Sequence, residues 1–201
     1  MPVFDTSILE LLLVAGAAYL LGSVPFGLVV SKVMGLPDPR TIGSKNIGAT
    51  NVLRSGSKVA ALATVLLDAA KGFVAVVIAR ALLGEDAAQV SALFAFLGHC
   101  LSFLLNFKGG KGVATYLGAL YGLSVMLGVM ACGLWLVTCL VTRYSSLAGM
   151  LSAVAMPIVA LALGMQQMTL LLCLMAAFLV WRHKENIGRL RAGTESKVGS
   201  S

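Results

Sequence analysis

Long apolar runs separated by short polar connections make up most of the chain. A helix that crosses a bilayer needs about 20 predominantly apolar residues. Runs of that kind lie at roughly 7–33, 57–82, 88–105, 112–127, 129–142, 146–164 and 167–182. The stretch 113–142 also reads as one long helix, so the placement of charge has to decide. Lys71 lies inside the second run, and Arg80 shares a loop with Glu85 and Asp86. Every other Lys and Arg lies in or beside the connections 32–58 and 108–111, at position 143, or in the tail from 182. All of these face the cytoplasm only if 112–142 crosses twice and the N-terminus is outside. The pattern predicts an all-α fold, a polytopic transmembrane helical bundle of about seven spans with its C-terminus cytoplasmic, forming one integral-membrane domain over 1–201. Within the first run, Gly22-Ser23-Val24-Pro25-Phe26-Gly27 predicts a kink or break, because proline removes an internal hydrogen bond and clashes with the preceding turn. Irregular backbone at this depth is tolerated where it lines a cavity.

Composition agrees. Hydrophobic residues make up 59% of the chain and charged residues 11%, and the mean hydropathy of +0.95 belongs to membrane proteins. The net charge of +7 is scattered between apolar runs rather than gathered with stacking aromatics, so it sets topology and gives no reason to expect nucleic acid. Cys100, Cys132, Cys139 and Cys173 lie in apolar runs without a C-x-x-C pair, and the histidines are His99 and His183, so neither a metal site, a disulfide framework nor a cofactor is expected. Residues 1–7 carry Asp5 and no Lys or Arg, unlike the start of a cleaved signal peptide, so the first run is expected to remain as a span.

Three polar clusters interrupt the apolar pattern. Asn106 to Thr115 reads N-F-K-G-G-K-G-V-A-T, where Gly109, Gly110 and Gly112 are expected to take positive φ and turn successive N–H groups to one side, with Lys108 and Lys111 adding charge. A helix starting near Gly112 would add its free N–H groups, a combination that suits phosphate. The spacing does not match the nucleotide P-loop, and taken alone such a turn fits an ordinary cytoplasmic connection equally well. Arg40 to Arg54 supplies hydroxyls, two amides and basic groups on small-residue backbone, all able to donate to phosphate oxygens. In the tail, His183 and Asn186 at i, i+3 share a helical face, and Gly193 is expected to stop that helix. Elsewhere, Asp68 and Lys71 read as a structural ion pair within the second span. His99 reads as a helix-end histidine bonded to a free carbonyl, and Arg143 to Ser146 as a short inner turn.

With these residues in view, the chain resembles the acyl-phosphate-dependent glycerol-3-phosphate acyltransferases of bacterial inner membranes, the PlsY family. The resemblance rests on G-S-K-N-I-G-A-T-N-V-L-R at 43–54, G-H at 98–99 with F-K-G-G-K-G-V-A-T at 107–115, and H-K-E-N-I-G-R-L-R-A-G-T-E at 183–195. G-S-V-P-F-G at 22–27 and D-A-A-K-G at 68–72 add to it. One departure is Ser102, where the family pattern has proline. The resemblance implies transfer of a fatty acyl group from acyl phosphate to the 1-hydroxyl of glycerol 3-phosphate at the cytoplasmic face of a multi-pass inner-membrane protein. Ser44, Arg54, Lys111, His183 and Asn186 would be catalytic. Asn46, Thr50, Asn51, Lys108, Gly109, Gly110, Gly112 and Ser146 would bind substrate, while Asp68, Lys71 and Glu195 would be structural. The implied partners are glycerol 3-phosphate, fatty acyl phosphate, membrane lipid and, transiently, a soluble enzyme that makes the acyl phosphate. An acyl phosphate brings its own leaving group, so such a site must orient reactants and stabilise developing charge rather than supply a covalent nucleophile. A membrane transporter of phosphorylated small molecules is the rival reading. It calls for a midplane site between internal repeats, and no clear repeat is present.

Overall fold

The computed structural model describes residues 5–199, and the reading of residues 1–4 as part of an uncleaved start lies outside them. The helices are α1 (Ile8–Ser23), α2 (Phe26–Val33), α3 (Ala49–Val52), α4 (Lys58–Leu83), α5 (Glu85–Cys100), α6 (Val113–Leu123), α7 (Val125–Thr142), α8 (Ser145–Ala162), α9 (Gln166–Arg182) and α10 (Lys184–Arg191). Among the described residues there is no strand. Among the described residues, five helical segments are long and apolar enough to cross a membrane, the first formed by α1 and α2 together; α6 and α9 are shorter apolar helices. The chain is a multi-pass, all-helical membrane protein.

Helix boundaries follow local chemistry. Ser7 and Glu10 form a capping box on α1, and Ser57 and Ser124 cap α4 and α7 through their hydroxyls. Of the kink or break expected in the first run, the chain takes the break: α1 ends at Ser23 and α2 begins after Pro25. Two of the carbonyls at the break are taken up by side chains of other segments. Ser23 O accepts from Ser102 Oγ at 2.6 Å, and Val24 O from Lys71 Nζ at 2.8 Å. Such pairing keeps irregular backbone stable away from water. Ser102 sits at φ −58°, a value proline also adopts, so the departure from the family pattern leaves the chain path intact and adds a tie to α1.

The stretch 113–142 is two helices that turn at Ser124, not one long helix. Arg80, paired with Glu85 at 2.8 Å, also donates to the carbonyls of Gly122 and Leu123, which puts the α6–α7 turn at the same end as the α4–α5 turn. Thr6 bonds Asp86 at that end too. The connections 34–57, 101–112 and 143–144 and the tail meet at the opposite end, through Thr50 with Ser145, Lys111 with Asn186, and Arg143 with Val198.

Small residues permit the close helix crossings. Gly22 of α1 lies on the Ala95 carbonyl of α5, and Gly98 of α5 on the Tyr19 carbonyl of α1. Gly72 of α4 and Gly118 of α6 make the equivalent approach to Thr115 and Ala69. The main core gathers Phe96, Tyr116, Leu120, Met156, Leu172, Met175 and Leu179, whereas Ile8, Leu82, Val141 and Ile158 face outward, as suits a lipid-covered surface.

Candidate active site

A cavity of about 1250 Å³ opens where the four connections meet. Its polar end is lined by Ser44, Asn46, Thr50, Asn51, Arg54, Lys111, Gly112, Ser146, His183, Asn186, Arg189 and Glu195. Its apolar wing runs over the short helix α6, between Val65 of α4 and Cys132, Trp135 and Leu136 of α7, with Ala114 and Leu117 behind. Val65 and Leu136 are exposed at the rim of that wing, so it borders the lipid-facing surface.

Each polar side chain is held by a different segment. Buried Asn51 organises the 39–54 loop: its amide nitrogen donates to the carbonyls of Pro39, Ile42 and Asn46, and its oxygen accepts from Ser44 N at 2.9 Å and Arg54 Nη1 at 3.1 Å. Its hydrogen-bonding capacity is thus spent within the loop. Arg54 reaches the tail through Ser196 Oγ at 2.6 Å. The tail is fastened further by backbone bonding between Val198 and Arg143 at 2.7 Å and by Lys197 over the Tyr144 ring.

Glu195 is the hub of the third cluster. Its carboxylate accepts from Ser146 Oγ at 2.6 Å, Asn186 Nδ2 at 2.5 Å and Arg189 Nε at 2.7 Å. Burial works against its charge, but these hydrogen bonds outweigh it and hold the carboxyl below the usual range. Asn186 then turns its oxygen to Lys111 Nζ. α9 and α10 meet at His183, whose Nδ1 donates to the Leu179 carbonyl at 2.8 Å, leaving the Nε2 lone pair as its acceptor. Gly193, at φ +70°, terminates the tail helix as expected, with Thr194 N bonded to Arg189 O.

The glycine turn is built differently from the expectation. Gly112 alone of its three glycines has positive φ, at +85°; Asn106 and Phe107 carry the other left-handed positions. Gly109 and Gly110 are required by close approach. A Cβ on Gly109 would strike the His99 and Cys100 carbonyls, and one on Gly110 the His99 imidazole. Gly110 N donates to His99 O at 3.0 Å, and Arg182 Nη2 holds the carbonyls of Gly109 and Gly110 at 2.9 and 3.1 Å. Lys111 and Gly112 line the cavity, followed by the N-terminus of α6, which no side chain caps. Lys108 is exposed, and it lies outside the lining together with Gly109 and Gly110.

Burial, reinforced by repulsion from Arg189 and Arg182, lowers the Lys111 ammonium to about 8. Burial likewise lowers His183 to about 4, with Lys111 adding to the effect against the Leu179 hydrogen bond. The site therefore concentrates positive charge while its carboxylate, Glu195, is already engaged. Asp68 and His99 border the same cavity, with Lys71 behind them.

Sequence reasoning missed Arg182 as the clamp on the turn, Arg189 as a partner of Glu195, and the whole apolar wing. Apolar residues on α4, α6 and α7 carry no sign of which face is left open. Arg182 bonds backbone oxygens, which no side-chain motif reveals.

Fold and site define a membrane-protein cavity with a cationic polar end and an apolar wing. The chain matches the glycerol-3-phosphate acyltransferase family over residues 12–193, and it belongs to that family. A glycerol-3-phosphate acyltransferase of Ruegeria sp. (strain TM1040) is 54% identical over 99% of this chain and 98% of its own length. One from Jannaschia sp. (strain CCS1) is 50% identical over 100% and 98%. Among solved structures, the glycerol 3-phosphate form of the integral membrane glycerol 3-phosphate acyltransferase PlsY (YgiH) is 36% identical, with a TM-score of 0.89 over 94% of this chain and 96% of that one. Its lysophosphatidic acid form is 35% identical, with a TM-score of 0.86 over 93% and 94%.

Proposed function

We propose that this protein transfers a fatty acyl group from acyl phosphate to the 1-hydroxyl of glycerol 3-phosphate, giving 1-acyl-glycerol 3-phosphate and inorganic phosphate. This is the first acylation of phospholipid synthesis, carried out at the cytoplasmic face of the bacterial inner membrane. The observation that carries the reading is one continuous cavity whose cationic end holds Arg54, Lys111 and Arg189 and whose apolar wing reaches lipid-facing helix surface. A phosphorylated acceptor and an acyl donor meet only in a site of that kind. The forms in which the related PlsY structure was solved, with glycerol 3-phosphate and lysophosphatidic acid, support it.

In this reading Lys111, the N-terminus of α6 and the Ser44–Arg54 loop hold phosphate groups, with the acyl chain along α6. The acceptor oxygen attacks the acyl carbonyl carbon, the bond to the phosphate oxygen breaks, and the hydroxyl proton passes to a phosphate oxygen. His183, lowered to about 4, is neutral near pH 7 and a poor base, so its Nε2 orients the hydroxyl by accepting a hydrogen bond. Positioning and charge stabilisation supply the rate. Seven segments cross the membrane, with the N-terminus outside and the site end in the cytoplasm, where the Lys and Arg excess lies.

The test is purified protein with labelled glycerol 3-phosphate and either acyl phosphate or acyl-CoA. Labelled lysophosphatidic acid should form with acyl phosphate alone. Product from acyl-CoA only would overturn the donor assignment, and uptake of label into vesicles without acylation would favour a transporter.

A further inference from the structure

Beneath the phosphate-binding turn lies a polar group that the proposed reaction leaves unused. Asp68, Lys71 and His99 are each at most 4% exposed, in the contact region of α4, α5 and the α1–α2 break. Lys71 Nζ lies 2.7 Å from Asp68 Oδ1 and 2.9 Å from His99 Nδ1, and it donates to Val24 O at 2.8 Å. An ammonium only donates, so His99 Nδ1 is the acceptor and the ring is fixed at one nitrogen. The other edge of the ring lies against Gly110, at the place a Cβ would need, and the His99 carbonyl accepts the Gly110 N–H. The same residue thus grips Gly110 by ring and backbone. The next residue along is Lys111, whose ammonium enters the cavity.

We propose that His99 is a positioning residue: held by Lys71 and Asp68, it sets the height of the Gly110–Lys111 backbone and so the placement of the Lys111 ammonium for the acceptor phosphate. The inference rests on the reading above, in which Lys111 binds glycerol 3-phosphate. A buried ion pair needs only to hold helices together, and by itself it would not require the ring of His99 to touch the turn. The ring contact makes the arrangement specific. His99 borders the cavity, but Nδ1 is committed to Lys71 and the opposite edge to Gly110, so it acts through the turn.

The decisive comparison is a double-variant cycle with glycerol 3-phosphate binding followed by calorimetry, alongside steady-state kinetics. Gly110→Ala should weaken acceptor binding by about tenfold or more, since the new methyl meets the imidazole, and His99→Ala by about three- to tenfold. Removing the ring makes room for the methyl, so the double variant should lie within about threefold of His99→Ala, with the losses far from multiplicative. Losses that multiply would overturn the proposal.

Gly110→Ala risks misfolding, so His99→Asn provides a second arm. Its amide oxygen can still accept from Lys71, but no ring reaches Gly110. The expected result is a several-fold rise in KM for glycerol 3-phosphate, with donor KM and thermal midpoint near wild type. An unchanged acceptor KM, or equal rises for both substrates, would overturn the proposal. Wild-type protein that binds glycerol 3-phosphate without acylating it would refute the functional reading and leave the binding cycle to decide this one. Wild-type protein that fails to bind it would refute both.

Discussion

Buried Lys71 lies behind the glycine turn and half-buried Lys111 lies within it, and their surroundings differ in one respect. Lys71 has a carboxylate at 2.7 Å and two neutral acceptors within 2.9 Å, so its charge is balanced inside the protein. Lys111 reaches the neutral amide oxygen of Asn186, and among the described residues no carboxylate lies at ion-pair distance from it. Arg189 and Arg182 add repulsion, set against longer-range attraction from Glu195 and Glu185. One lysine completes a structural network. The other is left for an anion to complete, and it lines the cavity where that anion would sit. A charge balanced inside the protein thus says little about function, whereas one drawn from water without a carboxylate in contact points to a ligand.

Removing each lysine should separate the two roles. Lys71→Ala leaves Asp68 buried without its partner and should cost about 3–5 kcal/mol of stability, read as a large fall in thermal midpoint in detergent. Replacing both members with apolar residues of similar volume should recover part of the loss. If Lys71→Ala melted like wild type and lost only acceptor affinity, the contrast would collapse. Lys111→Ala should leave the midpoint nearly unchanged and weaken glycerol 3-phosphate by on the order of 2 kcal/mol, roughly thirtyfold in KM. An unchanged KM there would reduce the turn to an ordinary connection.

The pH dependence sharpens the same contrast. Lys111 is cationic below about 8 and loses its proton above, so phosphate binding is retained below that value and declines as pH rises through it. A phosphomonoester gains its second charge near pH 6, so acceptor kcat/KM should climb through about 6 and fall through about 8. Lys111→Arg keeps its charge at all working pH values and should remove the alkaline fall even where its geometry lowers the rate. The smallest effect is expected at His183. His183→Gln keeps a hydrogen-bonding side chain but cannot act as a base, and it should lower kcat by less than about a hundredfold without changing the shape of the pH profile. A loss of several orders of magnitude in protein that still binds both substrates would make His183 the base.

Helix placement was legible in the sequence because apolar length and loop charge are properties of the chain itself. The break at Pro25 and the stop at Gly193 were legible for a similar reason: proline and glycine act on their own backbone. The side chains that meet at the cavity were also readable, since Ser44, Arg54, Lys111, His183 and Asn186 sit in motifs of unusual polarity, and all five line it. What could not be read was the reason for a residue where that reason lies in a distant segment. Gly109 and Gly110 look like positive-φ glycines in any sequence, yet they answer to His99 and Cys100 on α5. Asn51 looks like a phosphate donor, yet it is consumed by the carbonyls of its own loop. His99 was expected to bond a helix-end carbonyl, but its Nδ1 accepts from Lys71.

Proton uptake on substrate binding tests the central claim most directly. If Lys111 is the uncompensated cation that glycerol 3-phosphate completes, the bound phosphate must raise its pKa from about 8. Calorimetric titrations near pH 8.5 in buffers of different ionisation enthalpy should then show a net uptake of up to about three-quarters of a proton per site, and Lys111→Arg should bind without it. Binding that takes up no protons, or takes up the same number in Lys111→Arg, would contradict the account.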